Sequence, residues 1–175
     1  MAHSIDKMTS LDGLDERSLG KVILIDMPED QEPEMFAHSL KELTRKSFQG
    51  IYISFQSPPA QVQGMMGRED LAKVVFVDAA SGGEGVDRIV REICVSLTKM
   101  SSRKKFIFLA SVSDFSKRVP LSETMRLFGF LDRMIRKSHS SDLVLVLTSS
   151  HGSMGKDLRQ GIAITPDKIV SGSFS

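Results

Sequence analysis

The chain has 175 residues, a length for one domain with at most a small appendage. Apolar residues make up 41% and charged residues 26%, which excludes a disordered chain. A formal net charge of +1 sets up no strong field towards nucleic acid or anionic membrane, one cysteine excludes an internal disulfide framework, and no apolar run nears the roughly 18 residues of a membrane span. Residues 1–18 read as an N-terminal extension without a basic n-region or an apolar h-region, and 19–175 as one domain. A cytoplasmic domain is the expectation.

The first apolar run is KVILID, Lys21 to Asp26. A helix follows, opened by Pro33 and carrying Phe36, Leu40 and Leu43 on one face. The second run is GIYISF, Gly50 to Phe55, and a short helix is predicted between Pro59 and Met66. Met65 and Met66 read as a cap on the core, or as an adaptable contact for a protein partner. The third run is KVVFVD, Lys73 to Asp78, followed by a glycine-rich loop from Ala79 to Gly85. Val86, Ile89, Val90, Ile93, Leu97 and Met100 form the next helical stripe. Cys94, beside Ile93, is expected as a buried, inert thiol.

The fourth run is KKFIFLA, Lys104 to Ala110. Pro120 then opens a helix with Leu121, Met125, Phe128, Leu131 and Ile135 on its core face. The fifth run is DLVLVLT, Asp142 to Thr148. The tail from Gly161 to Gly172 turns at Thr165-Pro166-Asp167 and is predicted as a hairpin at the sheet edge. All five runs are continuous rather than alternating, as strands are when both faces of a sheet are covered. Strand and helix alternate throughout. The prediction is a three-layer α/β/α sandwich with right-handed crossovers, a mainly parallel five-strand core and a C-terminal hairpin.

Ligands of open parallel sheets bind beyond the carboxyl ends of the strands. The first strand leads there into Asp26, Met27, Pro28, Glu29, Asp30, Gln31, Glu32, Pro33 and Glu34. A phosphate cradle needs glycines for converging N–H groups, a lysine for the outer phosphates and a Ser or Thr for the metal. This segment has none of them, and its two prolines remove two donors. Its carboxylates suit the start of a helix, whose dipole favours them. They also suit an acidic docking or cation site. Gln56, Asp78, Ser111, Asp114 and His151 complete a candidate ligand edge at the other strand ends.

The segment GLDERSLGKVILID, Gly13 to Asp26, resembles the start of the RecA-fold ATPases of the KaiC family. There, such a segment leads into the strand before the Walker A phosphate loop. GIYISF resembles that family's second strand, KKFIFLASVS (Lys104 to Ser113) its Walker B strand, and DLVLVLTSS (Asp142 to Ser150) the next. The resemblance implies a RecA-like P-loop NTPase topology. It also implies that Met27 to Glu34 stands in the phosphate-loop position, with Pro33 and Glu34 near the expected Lys and Ser/Thr. Gln56 and Ser57 stand where the family places paired glutamates, and Ala110 near its Walker B aspartate. The expectation is a pseudo-ATPase without catalytic residues, cofactor or metal, acting as a regulatory or scaffolding protein through a partner or itself. A homodimer is the expectation by analogy with relatives that assemble.

Two other readings stay open. One is a small-molecule or enzymatic site at the same edge. The other is a receiver-like phosphoacceptor, for which Asp26 and Asp78 supply acids and Ser111 the small hydroxyl. GSMGKD, Gly152 to Asp157, reads as a surface loop or an anion site using Lys156. His3, His38, His139 and His151 show no metal-ligand spacing with one another or with Cys94, and a catalytic Ser–His pair at His151 is a minor reading. The basic clusters read as solvated helix ends. Stacking on nucleic acid would rest on an exposed Phe, Phe115 being the candidate, against a core or interface Phe.

Overall fold

The computed structural model describes residues 14–55, 58–79, 85–136, 142–150, 164 and 166–171. Six strands form one sheet: β1 (Val22–Met27), β2 (Gln49–Ser54), β3 (Val74–Asp78), β4 (Lys105–Ala110), β5 (Leu143–Ser150) and β6 (Lys168–Ser171). Their order across the sheet is β3-β2-β4-β5-β1-β6, and every described pairing is parallel. The helices are α1 (Glu32–Arg45), α2 (Ala60–Gln63), α3 (Arg68–Leu71), α4 (Gly85–Lys99), α5 (Val112–Arg118) and α6 (Leu121–Arg136).

Four of the five continuous apolar runs become strands buried on both faces, β1, β2, β4 and β5, while the edge strand β3 leaves Val75 exposed. On one face Ile23, Ile25, Tyr52, Phe106, Phe108 and Val146 pack under Met35, Phe36, Leu40 and Leu43 of α1. On the other, Val22, Leu24, Ile51, Ile107, Leu145 and Leu147 pack under Val86, Ile89 and Ile93 of α4 and Leu127, Phe128 and Leu131 of α6. Each such side chain contributes roughly 1.5–3 kcal/mol on burial. Gly50 is required where it stands, because a Cβ there would strike the Phe106 ring and carbonyl on the neighbouring strand.

Several expectations change at this level. The last strand joins the sheet edge beside β1 and in parallel with it. Of the first arm of the predicted hairpin only Ile164 is described, and it is buried in the core. The carboxylate of Asp167 accepts from the Val22 N–H at 2.8 Å and from Arg136 at 2.7 Å, tying the tail to β1 and to the end of α6. The short helix expected between Pro59 and Met66 is α2, and a further one-turn helix, α3, follows it, with Met66 buried and Met65 packed against the core. Cys94 is exposed rather than buried, since one residue past Ile93 turns it by about 100° off the stripe. Leu121 and Met125 are also exposed, at 56% and 48%. Phe128, Leu131 and Ile135 are buried as expected, and Thr124 and Leu127 complete the core face in place of Leu121 and Met125. Phe115 is buried against Phe55, with centroids 4.6 Å apart, and offers no ring for stacking.

Candidate functional site

The carboxyl ends of β1, β2 and β4 open onto one cleft of ≈ 320 Å³. Glu29, Glu32 and Pro33 line it after β1, and Phe36 from α1. Tyr52 and Ser54 come from β2, Gln61 and Val62 from α2, and Ser111 from the end of β4. Local sequence explains the geometry. β1 ends at the fully buried Met27, and Pro28 holds an extended backbone. A single 3-10 turn, Glu29–Gln31, follows, and α1 begins directly at Glu32 with Pro33 in its first turn. The segment is therefore wound tightly from Pro28 onward. Glu29, Asp30 and Glu34 are exposed, whereas Glu32 is turned inward and is only 4% exposed.

Ser111 ties the cleft to the sheet. Its hydroxyl donates to Glu32 Oε2 at 3.1 Å. Its N–H donates to Thr148 Oγ1 at 2.8 Å, and Thr148 donates in turn to the Leu109 carbonyl. One polar chain thus joins α1, β4 and β5. Ser111 pays for its place with a left-handed backbone, φ 64°, which is uncommon for a residue with a Cβ. Burial raises the pKa of the Tyr52 hydroxyl. A hydrogen bond with Ser54 offsets part of the rise, and the charge of Glu32 adds to it. The Tyr52 ring is also stacked on Phe108 at 5.6 Å.

The remaining predicted residues fall around this cleft or away from it. Asp26 is half-buried at the end of β1 and accepts from Ser149 Oγ at 3.4 Å. Asp114, in the first turn of α5, is raised above the ordinary carboxylate range by burial. Lys117 and Arg118 oppose that rise, and the nearby charge of Glu29 reinforces it. Asp78 ends the edge strand β3, with β2, β4 and β5 between it and Asp26. Four strand spacings put the two roughly 19 Å apart. The receiver-like reading needs them in one acidic pocket, and the strand order removes it. Gln56, His151 and the GSMGKD segment lie outside the described residues. Among the described residues no group of three or more His, Cys, Asp or Glu is arranged to hold a metal ion, and no helix is long and apolar enough to cross a membrane.

Tyr52, Ser54, Phe36, Gln61 and Thr148 were not legible as site residues. Tyr52 and Ser54 carried one usable signal. They are the polar-tipped residues two apart in an apolar strand, so they share a face.

No family model and no curated protein matches the chain. Solved structures do. The crystal structure of a KaiC-like protein from the hyperthermophilic archaeon Pyrococcus horikoshii OT3 is similar over 75% of this chain, with a TM-score of 0.56 and 14% identity. The similarity covers 61% of that protein's length, less than two thirds of it. The architecture is thus RecA-like α/β: a parallel sheet between two helical layers, with its cleft where β1 passes into α1. At such identity the likeness defines the fold, and activity has to be argued from the site.

Proposed function

We propose that this RecA-like domain neither binds nor hydrolyses ATP and acts by contact, as a regulatory or scaffolding protein for a partner or for itself. The observation that carries the reading is the segment from Met27 to Glu34. A phosphate loop is an open arc of backbone N–H groups. Here the arc is replaced by Pro28, a 3-10 turn and an immediate helix start. Glu32, where α1 begins, turns a carboxylate into the cleft and accepts from Ser111. A triphosphate in that place would meet two carboxylates, Glu29 and Glu32, and no glycine, lysine or threonine of the segment. Ala110 ends β4 without a carboxylate for a metal. These features together support a domain that keeps the fold and has left the chemistry.

Isothermal calorimetry with Mg-ATP and Mg-ADP tests it. No heat of binding is expected at millimolar nucleotide. Micromolar affinity for either nucleotide would overturn the reading.

A further inference from the structure

All described strand pairings are parallel, so the amino ends of the strands share one edge of the sheet and the carboxyl ends the other. The near-neutral chain is divided between these edges. At the carboxyl edge Glu29, Asp30 and Glu34 are exposed, and none is in an ion pair with a described residue. The start of α1 accounts for them by itself, since a helix N-terminus favours carboxylates. The cations of the amino edge have no such account. Lys21 is the residue before β1, Arg103 lies two residues before β4, and Lys105 opens β4, so none of them is in a helix. Lys21 and Arg103 are exposed and Lys105 is half-buried. Lys104 turns back onto the protein, to Glu16 and to the Lys46 carbonyl. Lys21, Arg103 and Lys105 have no carboxylate partner among the described residues. β1 and β4 are two strand spacings, roughly 10 Å, apart. The amino edge therefore presents a compact set of uncompensated cations, and the opposite edge of the same molecule presents the matching anions.

We propose that copies of this chain associate head to tail, the amino edge of one on the carboxyl edge of the next. Lys21, Arg103 and Lys105 of one copy face Glu29, Asp30 and Glu34 of its neighbour. The association rests on the contact role proposed above and names its partner. A two-fold pairing through either edge would set like charges against each other, whereas opposite edges attract. Contact between two different surfaces is heterologous, so each copy keeps one free edge and the assembly grows past a dimer unless it closes into a ring.

Light scattering of the full chain over a range of protein concentrations tests this, at about 10 mM and about 1 M salt, where charges interact over about 30 Å and about 3 Å. At low salt the mean mass should climb from 19.3 kDa to more than twice that by roughly 1 mM chain, the weak range expected of exposed ion pairs. At high salt it should stay at the monomer value. Two triple variants reverse one edge each: Lys21→Glu with Arg103→Glu and Lys105→Glu, and Glu29→Lys with Asp30→Lys and Glu34→Lys. Each alone should be monomeric. Mixed, they should associate again, because one keeps the basic edge and the other the acidic edge, a rescue that damage to either fold would not give. Should a reversed variant lose its fold by circular dichroism, the milder pair Lys21→Gln and Arg103→Gln replaces it and should weaken association at least about threefold. A parent chain that stays monomeric at low salt overturns the proposal. So does association that salt or the variants leave unchanged, or a mixture no more associated than its parts. Calorimetry with nucleotide keeps the two readings apart. A monomeric chain without nucleotide affinity loses only the head-to-tail contact, whereas micromolar nucleotide binding removes the contact role itself.

Discussion

Ser111 concentrates the local conflicts of the molecule. Its left-handed backbone is a cost that glycine would not bear, yet glycine would lose the hydroxyl that Glu32 accepts from. The two effects separate in a pair of variants. Ser111→Ala keeps the strain and loses the bond, and should cost about 1.5–3 kcal/mol. Ser111→Gly loses the bond and sheds the strain, and should be more stable than Ser111→Ala by about 1 kcal/mol in urea unfolding. Equal stability of the two would show that the left-handed backbone carries no cost. Asp114 gives a pH-dependent counterpart. Its folded pKa lies above the ordinary 3.8, chiefly because burial disfavours the charged form. Ionisation therefore opposes folding fully above the raised value, and the opposition fades as pH falls towards and below 3.8. Asp114→Asn should raise the urea midpoint at about pH 7 and lose that gain near about pH 3. A gain independent of pH would assign it to something other than ionisation.

Between residues and fold, the helices show how far periodicity carries. In α4 the spacing of Val86, Ile89 and Ile93 marks the buried face, and the structure buries all three. In α6 the same reasoning placed Leu121 and Met125 inward, because they lie three to four residues ahead of the true core positions. At 100° per residue Leu121 lies about 60° and Met125 about 100° round the helix from the buried Thr124, on the rim of the face that meets the sheet. Thr124 takes the inward position and is fully buried, a choice hydropathy does not flag. The distinction is measurable. Leu127→Ala should cost about 2–5 kcal/mol, as expected for a fully buried leucine. Leu121→Ser should stay within about 0.5 kcal/mol of the parent in the same unfolding experiment. Strands β1, β2, β4 and β5 were legible because burial on both faces leaves a continuous apolar run whatever the neighbours, and β3 has such a run although Val75 is exposed at the sheet edge. The candidate site was legible only in part. The absence of glycine and lysine after β1 is a local property, whereas the inward turn of Glu32 onto Ser111 joins residues 79 apart.

For the whole molecule, what the sequence withheld was strand order. Asp26 and Asp78 both end a strand at the same edge of the sheet, and alternation alone cannot say that three strands separate them. The order also makes β1 dependent on the end of the chain, since its two neighbours are β5 and β6. A fragment ending at residue 141 lacks both. It should show no cooperative thermal transition by circular dichroism, and a sharp one would mean that β1 can be satisfied locally. Synthesis imposes the same dependence in time. Asp26 leaves the ribosome 123 residues before its partner Ser149. At ordinary elongation rates that is a delay of about 6 to 25 seconds. Throughout it, the stretch from Val22 to Met27 is an apolar strand awaiting its sheet, and a nascent-chain chaperone would have its most persistent client segment there.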